Sequence, residues 1–470
     1  MFFMASHLST ARLAPKIVEQ IELPESTPPE VRLLALIAKV PGLQKLGQVL
    51  ARNRHLSPLL RRALSQLENS ISDVSADEVR SIILEELGPR LEAMAVELAP
   101  QIFSEASVSA VVRFTWFNPH SGRRERGVFK VLKPYIAACF AEDMDLLQQL
   151  SGYLASRHAE YGFSSPAIPE TFAEVRQLLD REVDFAREQE TLVKAGRIYR
   201  AVPHVRVPRL IAPLCGPGIT AITEEDGVKV TGAFLRASAR RRRRVAEQLV
   251  EALIAVPMFS QDEDAIFHAD PHAGNLLYNE ATGDLVILDW ALTECLTRKQ
   301  RRNIAFLGAM TALKDAGGIC LAIHALTENA GGRPKSQDCL LRDCVSQLVE
   351  ELPPVGVTGS LDAMRLLDQI AREGIRFPAP LLMFRKVLFT LDGVLHDIAQ
   401  VSTDAVLARY FLTHWLTAPG IFRSPLTAAD WLAIEWSLVS CGSRWWIRNS
   451  LQLLDAIEST AHRYLPPQGT

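Results

Sequence analysis

The amino-acid sequence predicts an α+β fold, predominantly helical, with its strands set apart from its helices. Three observations carry this. Apolar residues recur at helical spacing across 30–100, a short β-branched and aromatic block follows, and helical spacing then resumes for most of the chain. Such segregation argues against a doubly wound parallel sheet, in which strands and helices alternate. The chain has 470 residues, 48% hydrophobic and 22% charged, with a formal net charge of −3. That length suffices for a sizeable core and suggests about three domain-sized units. A near-neutral balance supplies no general field for nucleic acid, which is not expected as a partner. Seven cysteines without CxxC spacing read as reduced thiols. A membrane span takes about 18 uninterrupted apolar residues. The best candidates are broken, Ala405–Phe422 by Arg409 and Pro419, and Trp431–Ile447 by Glu435 and Arg444. The N-terminal segment has no basic stretch ahead of an apolar core, so no secretory signal is expected. A cytoplasmic location is expected, with peripheral contact at the inner membrane face as its extension.

The elements follow in order. In the first hundred residues, Leu33-Leu34-Ile37-Val40, Leu56-Leu59-Leu60-Leu64-Leu67 and Val79-Ile82-Ile83-Leu87 mark helices. Breaks are expected at Pro41-Gly42, Ser57-Pro58 and Gly88-Pro89. The runs Ala110–Phe117 and Gly127–Leu132, joined by the turn Asn118–Gly122, predict a strand–turn–strand unit. Helices are expected over Tyr135–Arg157 and Glu170–Tyr199, and short strands over Val205–Leu210 and Gly218–Thr223. From Thr231 onward the pattern is helical except for the insert Ile266–Leu292.

That insert carries the chemistry. It reads Phe267-His268-Ala269-Asp270-Pro271-His272-Ala273-Gly274-Asn275, then Val286-Ile287-Leu288-Asp289-Trp290-Ala291 after a turn at Asn279–Asp284. Phosphoryl transfer needs a carboxylate for the acceptor's proton and oxygen ligands for magnesium. Asp270 suits the first task; Asn275 and Asp289 suit the second. Two rival readings stand beside it: a metallohydrolase using His268, Asp270, His272 and Asp289, or a turn whose polar groups satisfy backbone. Lys130, alternating with apolar neighbours in Val128-Phe129-Lys130-Val131, projects to one strand face. Glu182, Asp184 and Glu188 lie in an acid-rich helical stretch. A strand Lys, a helix Glu and an Asp…Asn…Asp set in this chain order are what a kinase-type site requires.

On these motifs the sequence resembles the UbiB/AarF family of atypical, protein-kinase-like proteins associated with isoprenoid-quinone metabolism. His268–Asn275 matches that family's HxDPHxGN signature, Leu288-Asp289 its metal motif, and Lys130 its ATP-site lysine. Glu182-Val183-Asp184 matches its ExD motif, Lys45-Leu46-Gly47-Gln48 its KxGQ motif, and Glu224…Gly227 a shortened hinge. The resemblance spans roughly residues 40–400. It implies a protein-kinase-like two-lobed fold with a helical N-terminal extension (1–100), a small lobe (101–227), a helical large lobe (228–400) and a helical tail (401–470). It also implies ATP and Mg2+ as cofactors. Lys130 would contact phosphates with Glu188 orienting it, Asp270 would act as base, and Asn275 and Asp289 would hold the metal. Lys45 and Gln48 would restrict the acceptor to water or a small or lipid-like molecule. The alternative is a nucleotide-dependent, non-catalytic scaffold or lipid-binding chaperone.

Two departures from the family pattern stand out. Its Ala-rich phosphate loop reads Ser104-Glu105-Ala106-Ser107 here, with Ala106 and Ser107 in the binding positions and Glu105 adding negative charge. The metal motif reads Asp289-Trp290-Ala291 where Asp-Phe-Gly is usual, and Ala adopts positive φ less cheaply than Gly. Elsewhere, the basic run Arg240–Arg244 reads first as a solvated helix face and second as a patch for anionic lipid. Core packing is the first reading of Trp431, Trp436, Trp445 and Trp446, and a membrane interface the second.

Overall fold

A computed structural model describes residues 2–51, 58–65, 73–158, 167–233, 237–327, 335–352, 359–414 and 424–464. Ser57, of the expected Ser57-Pro58 break, lies outside them, as do Leu56 and Leu67. The chain divides into two compact units. The first comprises residues 1–201, 206–226 and 288–292, and the second 202–205, 227–287 and 293–470. The excursion 288–292 matters most for the site, because it delivers Asp289 to the first unit.

In the first unit, helices Thr10–Glu22, Pro29–Ile37 and Pro41–Ala51 lead to the long helices Pro134–Ser156 and Ala167–Val183. Val40, Leu43, Leu46, Leu147, Val175 and Leu179 belong to one core. Helix Ala76–Ala93 opens with a capping box. The Ser75 hydroxyl accepts the Glu78 N–H at 3.2 Å, and Glu78 accepts the Ser75 N–H at 2.7 Å. This helix runs through Gly88-Pro89, where a break was expected. A proline inside a helix costs about 3 kcal/mol. Val79, Ile83, Leu87 and Leu91 line one face at four-residue spacing and are buried against the sheet. At about 1.5–3 kcal/mol for each fully buried aliphatic side chain, packing wins.

That sheet is antiparallel, in the order β1-β2-β3-β5, from β1 (Glu97–Glu105), β2 (Ser109–Asn118), β3 (Arg123–Leu132) and β5 (Ile219–Thr223). Ala110, Val112, Phe114 and Trp116 alternate inward on β2, and Phe114 stacks on Phe129 of β3 at 4.0 Å. Strand β4 shrinks from the expected Val205–Leu210 to Val205–Arg206, with a single bridge from Leu210 to Ile222. Pro208 has no N–H to offer a ladder. The expected helix Glu170–Tyr199 is two helices, Ala167–Val183 and Phe185–Tyr199, parted at Asp184.

The second unit holds β6 (Val228–Lys229), β7 (Asp264–His268), β8 (Leu276–Asn279), β9 (Asp284–Ile287) and β10 (Thr293–Thr297). They form the pair β10-β7 and, with β4, a sheet of order β4-β9-β8-β6. The β8–β9 turn closes where Gly283, at φ 76°, donates its N–H to the Asn279 carbonyl at 2.8 Å. Helices make up most of the rest. Helix Ala239–Val250 passes into a π-helical stretch, Glu251–Ala255, and helix Ala428–Tyr464 carries the tail. In that last helix Trp436 is 75% and Trp446 67% exposed, so core packing is corrected for both. No helix among the described residues is long and apolar enough to cross a membrane.

Candidate functional site

Strand β3 turns Phe129 and Val131 into the core and leaves Lys130 on the other face. Its ammonium lies 2.8 Å from Glu188 Oε1 and 3.3 Å from Asp289 Oδ1, with the Phe185 ring centroid at 5.5 Å. Glu188 reaches this point because the chain breaks at Asp184. Asp184 caps the new helix by accepting the Arg187 N–H at 3.0 Å, and Glu188 falls in its first turn. Burial works to lower the Lys130 pKa, but Asp289 and Glu188 outweigh it and hold the ammonium well above its ordinary range. Burial pushes the Glu188 carboxyl up, opposed by Lys130.

The segment 288–292 is fixed by its aromatic residue. Trp290 is buried, its ring 5.6 Å from that of Tyr199. The left-handed backbone falls on Asp289 itself, at φ 51°, and not on Ala291. Asp tolerates that region better than most residues, and its Oδ1 accepts the Ala291 N–H at 3.3 Å. The restriction expected at Ala291 is therefore replaced by one at Asp289.

The loop between β1 and β2 is held from beneath. The Lys133 ammonium, with no exposed surface, lies 2.5 Å from Asp73 Oδ1 and 3.2 Å from Glu105 Oε2. Tyr135 donates its hydroxyl to Asp73 at 2.8 Å, and Lys133 N–H donates to the Val108 carbonyl at 2.9 Å. The charge on Glu105 is thus neutralised within the fold. Ala106 is exposed at the loop tip, and its N–H donates to the Ser109 carbonyl at 2.8 Å. Ser107 is buried and donates its hydroxyl to Glu182 at 3.1 Å. Glu182 also pairs with Lys45 of helix Pro41–Ala51, which carries half-buried Gln48 less than a turn further on. At the end of β5, Glu224 accepts from Arg113 Nε at 2.8 Å.

Asp270 and Asn275 belong to the second unit, in the loop between β7 and β8. Asn275 Nδ2 donates to the Asp270 carbonyl at 3.2 Å, which leaves Oδ1 as the atom able to ligate. His268 Nδ1 accepts the Asp270 N–H at 3.2 Å, and His272 Nδ1 accepts the Gly274 N–H at 3.0 Å. A Cβ on Gly274 would stand 2.7 Å from the His272 ring, so a larger residue here would have to displace that ring. His272 Nε2 lies 3.8 Å from Asp270 Oδ2. Among the described residues no three His, Cys, Asp or Glu side chains gather as a metal set. Sequence reasoning missed Arg301, fully buried in helix Arg298–Ala312. It donates to the Pro257, Ser260, Asp262 and Glu263 carbonyls and so fixes the entry into β7. It also missed Asp73, Lys133 and Tyr135, for which only the position of Lys133 directly after a strand gives a hint.

A strand lysine paired to a helix glutamate and a metal-type aspartate, in a chain that also carries an Asp…Asn loop, defines a kinase-like class of site. Residues 66–321, more than half of the chain, match the family model of the ABC1 atypical kinase-like domain. The chain belongs to that family, and its kinase-like, mostly helical fold with small sheets follows. Over 366 residues it is 25% identical to a Synechocystis protein described as uncharacterized protein sll1770, covering 76% of this chain and 60% of that one. It is 25% identical over 403 residues to the probable protein kinase UbiB of Actinobacillus pleuropneumoniae, with 82% and 71% covered. It is 24% identical over 361 residues to the chloroplastic protein Activity of bc1 complex kinase 7 of Arabidopsis thaliana, with 75% and 50% covered. The chain thus spans 60% of the first relative's length and half of the third's. Among solved structures, the Rv3197–erythromycin complex from Mycobacterium tuberculosis aligns with a TM-score of 0.49 at 17% identity, covering 84% of this chain and 96% of that one.

Proposed function

We propose that this chain binds ATP with Mg2+ and hydrolyses it or transfers its terminal phosphoryl group to a small or lipid-like acceptor, in support of isoprenoid-quinone or lipid metabolism. The observation that carries the reading is the Lys130 ammonium held between Glu188 and half-exposed Asp289. The donor set fits the cofactor. Asn275 Oδ1 and the Asp289 carboxylate are hard oxygen ligands, and Mg2+ needs only one or two carboxylates besides phosphate and water. When bound, the ion neutralises charge on the phosphates.

The remaining work belongs to side chains. Lys130 would bind phosphate oxygens, kept protonated by its two carboxylates, and Glu188 would fix its direction. Asp270, anchored through its backbone by Asn275, would take the proton of the acceptor's hydroxyl or orient a water. Such a proton transfer contributes about 10²–10⁴-fold. Ala106 and Ser107 would line the phosphate end, and the stretch from Glu224 would take the base. Lys45 and Gln48 would limit which acceptor enters, and Glu182 and Asp184 would belong with Lys45 and Gln48 to the cofactor-binding set. Peripheral membrane contact is read from Leu432, Trp436, Val439 and Trp446, an exposed stripe at heptad spacing on one helix. Vesicle co-sedimentation lost in a Trp436→Ala/Trp446→Ala double variant is its expected signature.

The test of the main reading is ATP turnover. Asp289→Asn should abolish phosphate release while leaving the melting temperature in place, and equal turnover in the variant sinks the proposal. Magnesium-dependent nucleotide binding with no phosphate release from the unaltered chain would favour the scaffold alternative instead.

A further inference from the structure

The second unit holds a partly open pocket of about 230 Å3, and none of the site residues above lines it. One wall is helix Arg298–Ala312, which presents Ala305, Gly308, Ala309 and Ala312 at spacings of three, one and three. Ile304 is the one larger side chain that this helix adds to the lining. Opposite stand Ile254, from the π-helical stretch, and Met258, with Met364 and Phe384 from two further helices. Protein interiors pack to the density of organic crystals and leave few voids larger than a water molecule. An apolar cavity of about 150 Å3 already binds benzene and stays dry without it. This one is half as large again, and its lining is apolar almost throughout.

The chief polar exception is Asp404. It is buried, and its carboxylate accepts three hydrogen bonds: Oδ1 takes the Ser360 N–H at 2.9 Å and the Leu361 N–H at 3.3 Å, and Oδ2 shares the Leu361 N–H at 3.3 Å. Burial lifts its pKa to about 6, reinforced by Asp362 and Asp392 and opposed by those two N–H groups. A carboxylate has about four acceptor positions, so Asp404 retains capacity for one further donor. It would repel a second carboxylate. We infer that this cavity binds a hydrocarbon chain ending in a neutral hydroxyl, with the chain against the small-residue wall and the hydroxyl donating to Asp404. The cavity also adjoins the catalytic segment. Phe384 meets Phe267 edge-on at 5.4 Å, three residues before Asp270. The site is distinct from the acceptor position proposed above and does not depend on turnover.

Methyl NMR of the full chain, labelled with 13C at its methionine methyl groups, tests this with octan-1-ol and sodium octanoate as probes. Met258 and Met364 line the cavity, and Met144, in the first unit's core, is the internal control. The expected result is a saturable shift of Met258 and Met364 with octan-1-ol, at least tenfold weaker with octanoate, and no shift of Met144. Ala309→Leu, and independently Ala305→Leu, should raise the melting temperature and abolish the response. Equal binding of octanoate, or filled variants that still bind the alcohol, would overturn the proposal. So would a wild-type chain whose two reporter methyls do not move, which would make the cavity a packing void. If both leucine variants fail to fold, the comparison of alcohol with carboxylate on the unaltered chain decides alone.

Discussion

Lys130 and Lys133 lie three residues apart at the end of one strand, and each ammonium sits between two carboxylates. Around Lys133 the site is almost sealed: the lysine has no exposed surface, and the Asp73 and Glu105 side chains are only 9% and 7% exposed. Around Lys130 one side is open, since the lysine is 18% and its partner Asp289 46% exposed. The same charges therefore do different work. A sealed triad braces the loop Ala106–Val108 through the Val108 carbonyl, whereas an open one leaves donors and acceptors that a ligand can meet. Burying an ion pair is weak evidence for stability, but removing one partner from it is costly.

Substitutions at the two lysines break the comparison apart. Lys133→Met strands two buried carboxylates and should cost about 3–5 kcal/mol in a urea titration. Lys130→Met should cost clearly less stability, because Asp289 can reach solvent and burial, no longer opposed by the lysine, lets the Glu188 carboxyl take up a proton. Its effect belongs in catalysis, where loss of one fixed positive group should lower ATP turnover about 10²–10³-fold, the range seen when one preorganised electrostatic donor is removed. Should the two variants exchange these phenotypes, the assignment of brace and site is reversed.

A smaller effect comes from a buried carboxylate outside both lysine clusters. Asp404 has its folded pKa raised to about 6, above the ordinary value of 3.8. The folded state therefore holds its proton more tightly than the unfolded chain, and this contribution to stability is full below pH about 4 and lost as pH rises through 6. Asp404→Asn should be more stable than the parent at pH 7.5, and the difference should shrink as the pH falls from 7 to 4. Smallest of all is Arg126→Ala, which removes an exposed pair with Asp226 and a long one, at 3.9 Å, with Glu224, and should move stability by less than about 1 kcal/mol.

Much of this was legible beforehand. Strands β2 and β3 announce themselves by alternation, and the Asp270, Asn275, Asp289 and Lys130 pattern reads from residue type and spacing. Strand β1 does not announce itself, because an edge strand with Pro100 and no buried alternation gives no period-two signal. The break at Asp184 lacks a proline or glycine to mark it, yet it sets where Glu188 points. The brace at Lys133 draws Asp73 and Glu105 from distant positions, and none of the three is unusual until the chain folds. Attention to Ala291 was misplaced for a similar reason, since which residue of a turn takes positive φ depends on what anchors its neighbours, here Trp290 against Tyr199.

The central claim is that Lys130 and Asp289 together form a magnesium-dependent nucleotide site. The most direct measurement is the melting-temperature shift produced by ATP with magnesium and by ATP with EDTA, in the parent chain, Asp289→Asn and Arg126→Ala. The account predicts a rise in the parent and in Arg126→Ala that requires the metal and vanishes in Asp289→Asn. An equal rise in all three proteins, or one indifferent to EDTA, would contradict it.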